Sequence, residues 1–249
     1  MSGLYAQDSI MSSKNESFTD DKIYQIKQKK WRLGIQNSIS FMFAKSGYYE
    51  IELIPEELEN NALTDFFKQS RKCFTFSTDA HRMFSNKWGI GIKYSFLSNC
   101  DEDFISFNST DGIGIVSTDV INRLYINYIG ASAFLKFPLV HTKALFLHTA
   151  ISIGYTHYRN EFETDLSSQY FTENTLSTGS SVGGNIELGI EYFLTSWLSV
   201  SFGTDCFISK FNKLSVKRGR EPKQSITFKG DDKRNVSHID IYVGLRLHL

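Results

Sequence analysis

Apolar and polar residues alternate one by one over long stretches of this chain. A period of two admits only β-strands that carry one greasy face and one polar face. The pattern is plainest near the C-terminus, where Ile239, Ile241, Val243, Leu245, Leu247 and Leu249 interleave with His238, Asp240, Tyr242, Gly244, Arg246 and His248. It recurs in Trp31 to Phe43, where Trp31, Leu33, Ile35, Ile39, Phe41 and Phe43 are separated by Arg32, Gly34, Gln36, Ser38 and Ser40. Trp88 to Phe96 and Val182 to Leu194 repeat it, and Lys72 to Phe84, Arg123 to Phe137, Ala144 to Tyr158 and Trp197 to Phe207 follow it less strictly. These are eight predicted strands, each long enough to cross a bilayer when tilted, for which about 9 to 11 residues suffice.

The connections order the eight. Strands two and three are joined by Ser85-Asn86-Lys87, four and five by Pro138 to Lys143, and six and seven by little more than Thr195-Ser196. The other three hairpins are separated by more than twenty residues each, as is the step from strand one to strand two. Short turns and long loops therefore alternate strictly. An up-and-down barrel of even strand number places all the short turns and both termini on one side and all the long loops on the other, whereas a soluble sandwich has no reason to do so. The fold read from the chain is all-β: an eight-stranded antiparallel up-and-down transmembrane β-barrel over residues 31–249.

Which face points inward follows from the polar positions. They carry Gly34, Gly89, Gly91, Gly183, Gly189, Gly203 and Gly244 together with charges of both signs. Glycine weakens a solvent-facing strand, but the narrow interior of an eight-stranded barrel has to mix small residues with large ones. Arg32, Asp79, Lys93, Glu187, Glu191, Asp240 and Arg246 are accordingly assigned to an interior polar network, paired because an unpaired buried charge is expensive. The alternative is a soluble lipocalin-like binding barrel with an apolar lumen; the expected Gly-x-Trp near its first strand is not supplied by Lys30-Trp31-Arg32-Leu33-Gly34.

Composition agrees and excludes other classes. Aromatic residues make up 14% of the 249 residues and there are only three prolines, which favours order, and the formal net charge of zero gives no pull toward nucleic acid. No stretch reaches the roughly 18 to 20 apolar residues of a membrane-spanning helix. A closed barrel is then the only way across a bilayer, because it satisfies every backbone hydrogen bond. Residues 1–30 read as a disordered tail; Ala6-Gln7 within it has the look of the end of a secretory signal, and an ordinary polar tail fits as well.

Several fragments in order resemble the outer-membrane β-barrel family abundant in Bacteroidota. They are Asp65-Phe66-Phe67-Lys68 with Lys72-Cys73-Phe74, Asn86-Lys87-Trp88-Gly89-Ile90-Gly91-Ile92-Lys93-Tyr94, Tyr128-Ile129-Gly130-Ala131-Ser132, Ile153-Gly154-Tyr155, and Ile239-Asp240-Ile241-Tyr242-Val243-Gly244-Leu245-Arg246-Leu247. The resemblance spans residues 31–249. It implies a signal-bearing protein of the Gram-negative cell envelope, inserted by the barrel-assembly machinery and without an assigned activity. Such barrels usually end in Phe, and Leu249 takes that place here.

No residue set specifies a reaction, so the chain is read as a non-enzyme without cofactor. His81, His148, His238 and His248 share the polar face but lack metal-ligand spacing. His148, Ser152 and Asp205 contain the residue types of a nucleophilic set, which would make a lipid-modifying barrel enzyme, but any filled barrel holds such residues. Gly89-Ile90-Gly91 and Gly183-Gly184 sit within strands, not at a strand-to-helix turn that would cradle phosphate. Of three cysteines, Cys73 and Cys100 come to similar heights and would form a disulfide if a bulge near Ser98 to Asn99 brought their faces together.

The loops are where a partner would bind. The last one is basic, with Lys217, Arg218, Arg220, Lys223 and Lys229 as candidate surface-binding residues, whereas the others lean acidic through Glu50, Glu52, Glu56, Glu57 and Glu59, through Asp101, Glu102 and Asp103, and through Glu161, Glu163 and Asp165. The basic loop would contact lipopolysaccharide phosphates, bind an anionic ligand, or pair with its acidic neighbours. Leu214-Ser215-Val216 and Ser225-Ile226-Thr227-Phe228 around Gly219 to Pro222 predict that strands seven and eight continue as a hairpin beyond the membrane, with an edge able to add a partner's strand. Pro55 to Arg71 suits a short helix over the mouth. The function expected is a monomeric, structural or surface-interaction (adhesion-like) barrel among outer-membrane lipids; the second is a narrow, porin-like channel or carrier for a small amphipathic solute.

Overall fold

The computed structural model describes residues 29–43, 72–108, 115–139, 144–166, 171–228 and 233–249. The N-terminal tail up to residue 28, the acidic residues Glu50 to Glu59, the helix expected over Pro55 to Arg71, and Lys229 lie outside the described residues.

Eleven strand segments follow in order: β1 Trp31–Met42, β2 Lys72–Met83, β3 Trp88–Asn108, β4 Ile115–Pro138, β5 Leu145–Leu166, β6 Phe171–Phe193, β7 Leu198–Phe211, β8 Lys213–Arg218, β9 Gln224–Thr227, β10 Arg234–Asn235 and β11 His238–His248. They build eight antiparallel barrel staves. β7 and β8 are one stave: both pair with β6, and the register slips by one residue between Gly183↔Ser209 and Thr178↔Ser215, a bulge near Asn212. β9, β10 and β11 form the returning stave, β9 against β8 and the other two against β7 in one continuous register. β11 then pairs with β1 through Arg32↔His248 and Leu33↔Leu247, and the barrel is closed. Closure leaves the membrane-spanning wall without an edge, as lipid requires.

Two of the tight turns use one device. Ser85 Oγ accepts from the backbone N–H of Lys87 (3.1 Å) and of Trp88 (3.3 Å), and Thr195 Oγ1 accepts from Trp197 (3.3 Å) and Leu198 (3.0 Å). A hydroxyl at the head of a turn supplies the acceptor that the reversing backbone lacks.

The faces are inverted relative to a soluble protein. Ile153, Val182 and Val243 are 66%, 67% and 62% exposed, while Arg32, Lys93 and Arg246 are 1%, 1% and 0% exposed. Apolar side chains that cover the outside of every stave would be untenable in water, so this pattern removes the soluble lipocalin-like alternative. On β3 the belt runs from Trp88 to Phe96, roughly 21 Å in height for a strand tilted by about 40°. All three tryptophans, Trp31, Trp88 and Trp197, stand exposed at the short-turn rim with Phe84, Phe137 and Tyr192. Such a girdle marks the membrane interface.

The strands exceed expectation on the far side. β3, β4, β5 and β6 have 21, 24, 22 and 23 residues. The stretches read as acidic loops, Asp101 to Asp103 and Glu161 to Asp165, are strand residues instead. Beyond the belt a strand meets water on its outer face, and a polar strand reads like a loop. The hairpin expected of strands seven and eight is present as β8 and β9, joined through Gly219, whose φ of 46° lies in the left-handed region that favours glycine.

Candidate functional site

The lumen has two layers of different chemistry. The inner layer, toward the short turns, is a charge network to which all eight staves contribute. Arg32 on β1 and Arg246 on β11 each donate at 2.7 Å to Asp79 on β2, one to each carboxylate oxygen. Arg246 also donates to Glu187 Oε1 at 2.9 Å, and Lys93 on β3 donates to Glu187 Oε2 at 2.9 Å, to Asn185 Oδ1 at 2.9 Å and to Asp205 on β7. Glu187 Oε1 further accepts from Gln36 (2.8 Å) and Tyr242 (3.1 Å), with His148 Nε2 on β5 3.1 Å away. Ser132 on β4 joins through His81, which also reaches Asp79. Nearer the rim, Glu191 Oε1 accepts from Ser199 Oγ and lies 2.7 Å from His248 Nε2, while its Oε2 stands 3.7 Å from Arg32.

Six of the seven interior residues read from the sequence belong to this network. Asp240 does not: it lies beyond it, 3.7 Å from His238 Nε2. Two of the inward glycines have a plain reason. A Cβ on Gly34 would sit inside the Arg246–Asp79 bridge, and one on Gly189 would collide with the Tyr242 hydroxyl. Gln36, Asn185 and Tyr242 escaped the sequence reading, although their position at even spacing from Arg32, Glu187 and Arg246 was a usable signal.

The outer layer gathers an apolar cluster among buried polar residues such as Asn122, Asn160, Ser177 and Arg234. Leu97, Ile126, Tyr128, Tyr158, Phe207 and Phe211 are buried there and pack with Leu214 and Val216 of β8. Tyr128 meets Phe207 edge-on at 5.3 Å and donates to Ser152 Oγ at 2.8 Å, joining the two layers. Arg234 donates to the Tyr158 hydroxyl at 3.0 Å. Ile226 and Phe228 fold the hairpin onto the same cluster.

His148, Ser152 and Asp205 are not brought together. His148 lies against Glu187 and Tyr242, Ser152 receives the Tyr128 hydroxyl, and Asp205 is held by Lys93 and Asn185. Nor does the disulfide form. The register Phe74↔Ser98 runs on without the needed bulge, so Cys73 faces the lumen and Cys100 stands exposed beside Arg123.

On the outer rim, Lys217, Arg220 and Lys223 are exposed and Arg218 half-buried at the tip of the β8–β9 hairpin. Two acidic residues of β5 are engaged within the wall: Glu163 accepts from Arg123 at 3.0 Å, and Glu161 from Arg159. β9 has a strand partner on one side only, so its second edge is open among the described residues.

The architecture has solved counterparts. A major outer membrane protein from Thermus thermophilus matches at a TM-score of 0.50 and 8% identity, covering 88% of this chain and 99% of that one. The fold is that of the bacterial outer-membrane β-barrels. Neisserial surface protein A (TM-score 0.42, 15% identity, 88% and 97% covered) and the attachment invasion locus protein of Yersinia pestis (0.41, 13%, 89% and 98%) are similar over comparable lengths. No family model matches the chain, and no curated protein does. Identities this low speak for the fold alone, and a fold hosts many functions.

Proposed function

We propose that this chain is a monomeric integral protein of the bacterial outer membrane that conducts no solute and acts through the sheet it raises beyond the bilayer. The observation that carries this reading is the lumen, filled by a charge network in its inner half and, in its outer half, by a packed apolar cluster interspersed with buried polar side chains. An eight-stranded barrel is just wide enough for side chains to fill. A channel or carrier for an amphipathic solute needs a continuous path or an internal cavity, and both layers stand against one. A lipid-modifying enzyme needs a nucleophile beside its base, and Ser152 and His148 have other partners.

What is left for function is the surface, and the wall reaches well past the belt there. The β8–β9 hairpin joins an open strand edge to a basic tip, a combination suited to adding an extended segment of an external partner. Insertion by the barrel-assembly machinery and contact with lipopolysaccharide follow from the same reading. Planar-bilayer recording tests it: purified protein is expected to give no stable current, and ohmic single-channel steps would overturn the closed-barrel reading.

A further inference from the structure

The stave made of β7 and β8 carries a stripe of lysines on its outward face. Lys210, Lys213 and Lys217 are all exposed. Lys210 comes two residues after Ile208, which is 52% exposed at the top of the apolar belt, and the register sets it level with Val182 on β6. The bulge at Asn212 restores the outward parity, so Lys213 and Lys217 continue the line upward, with Lys217 opposite Leu176. The stripe covers about 20 Å of strand.

Among the described residues its neighbours do not neutralise it. The outward residues of β6 beside it, Ser180, Thr178, Leu176 and Asn174, are uncharged. One stave further, Glu163 is held by Arg123 and Glu161 by Arg159. Lys217 shares a cavity with Glu161, whereas Lys210 and Lys213 make no ion pair among the described residues, the β5 carboxylates being taken by Arg123 and Arg159. Among the described residues, pairing with acidic neighbours therefore does not account for these two lysines.

We infer that this stripe holds the phosphate of an anionic lipid of the outer leaflet, whose acyl chains lie on the belt below it. The inference rests on the proposed orientation, with the long strands outward. Two features point to a lipid over a soluble polyanion. The first lysine stands at the rim of the belt, at the level of headgroup phosphates, and the charged stripe is continuous with the exposed apolar surface of Ile208 and Val182. A lysine there lays its methylene stem on the apolar surface and lifts its ammonium to the interface. Three flexible ammonium groups along one line would follow a headgroup bearing more than one phosphate, as the glycolipid of this leaflet does, without demanding a fixed geometry.

The test uses the full chain refolded into phosphatidylcholine vesicles containing a small fraction of lipid A, with lipid retained on the protein read by native mass spectrometry. The triple variant K210Q/K213Q/K217Q is expected to retain lipid A at least about tenfold less than wild type, since each lysine near a charged surface contributes measurably. K87Q, at the opposite rim, is expected to change nothing. Dephosphorylated lipid A should be retained by wild type as poorly as lipid A is by the triple variant. Equal retention by wild type and triple variant overturns the inference, and so does equal retention of the dephosphorylated lipid. A soluble sulfated polysaccharide that binds in pure phosphatidylcholine with the same lysine dependence, and displaces no lipid A, would assign the stripe to a polyanion instead. Failure of the wild type to insert at all, seen as loss of heat-modifiable gel mobility, would count against the membrane barrel itself; insertion with indifference to lipid counts only against this site.

Discussion

Arg246 and Asp79 meet 2.7 Å apart on the luminal face, reaching over Gly34 of β1 from the two staves that flank it. Asp79 takes Arg32 on its other oxygen, so one carboxylate compensates two buried guanidinium groups. Asp79→Asn keeps the shape and removes the charge. The barrel is expected to lose about 3–5 kcal/mol, the penalty for breaking one side of a buried pair. Urea unfolding in detergent micelles measures it, and an unchanged midpoint would mean that the network is not closed as described.

Gly34 lies beneath that bridge. Gly34→Val places carbon where the Arg246 and Asp79 heads meet, and is expected to destabilise by about 1–3 kcal/mol or block folding. Gly184→Ala is the control. A Cβ there has only Ser152 O within reach, at 3.7 Å, and points outward, so its unfolding curve should overlay the wild type.

The three tryptophans provide an optical test of position. Trp31, Trp88 and Trp197 share the short-turn rim, so depth-dependent quenching in vesicles should place all of them at one shallow depth. Quenching strongest from spin labels near the bilayer centre would contradict the girdle.

The cysteines test the register of β2 against β3. With Cys73 facing the lumen and Cys100 facing out, oxidation of the folded protein should leave its mass without an internal disulfide, and a water-soluble maleimide should modify Cys100 before Cys73. Formation of the Cys73–Cys100 bond in the folded barrel would require a bulge that the register does not contain.

The eight staves, the short turns and the outward belt were readable because a period of two combined with charge and glycine on one face has a single solution in lipid. Two parts were not. Asp101, Glu102 and Asp103 form an acidic run without alternation, and nothing local separates a polar strand above the bilayer from a loop; its pairing with Ile121 and Val120 is a tertiary fact. The apolar cluster of the outer lumen was hidden for the opposite reason: Leu124, Ile126 and Tyr128 face inward beside outward Tyr125 and Ile129, so both faces are largely greasy there and the period fades. The sequence also assigned Glu187 and Arg246 to one interior without saying that they touch. That contact depends on the stagger between strands, which inward parity does not reveal.

A belt buried in lipid separates the tight turns on one side from the extended sheet on the other. Single cysteines introduced into a cysteine-free chain in intact cells test it most directly, read with a membrane-impermeant maleimide. Asp103→Cys, beyond the belt on β3, should be labelled from outside; Ile153→Cys, within the belt, should resist labelling; and Asn86→Cys, in a tight turn, should react only after the outer membrane is permeabilised. Labelling of Asn86→Cys in intact cells, or ready labelling of Ile153→Cys by the aqueous reagent, would contradict it.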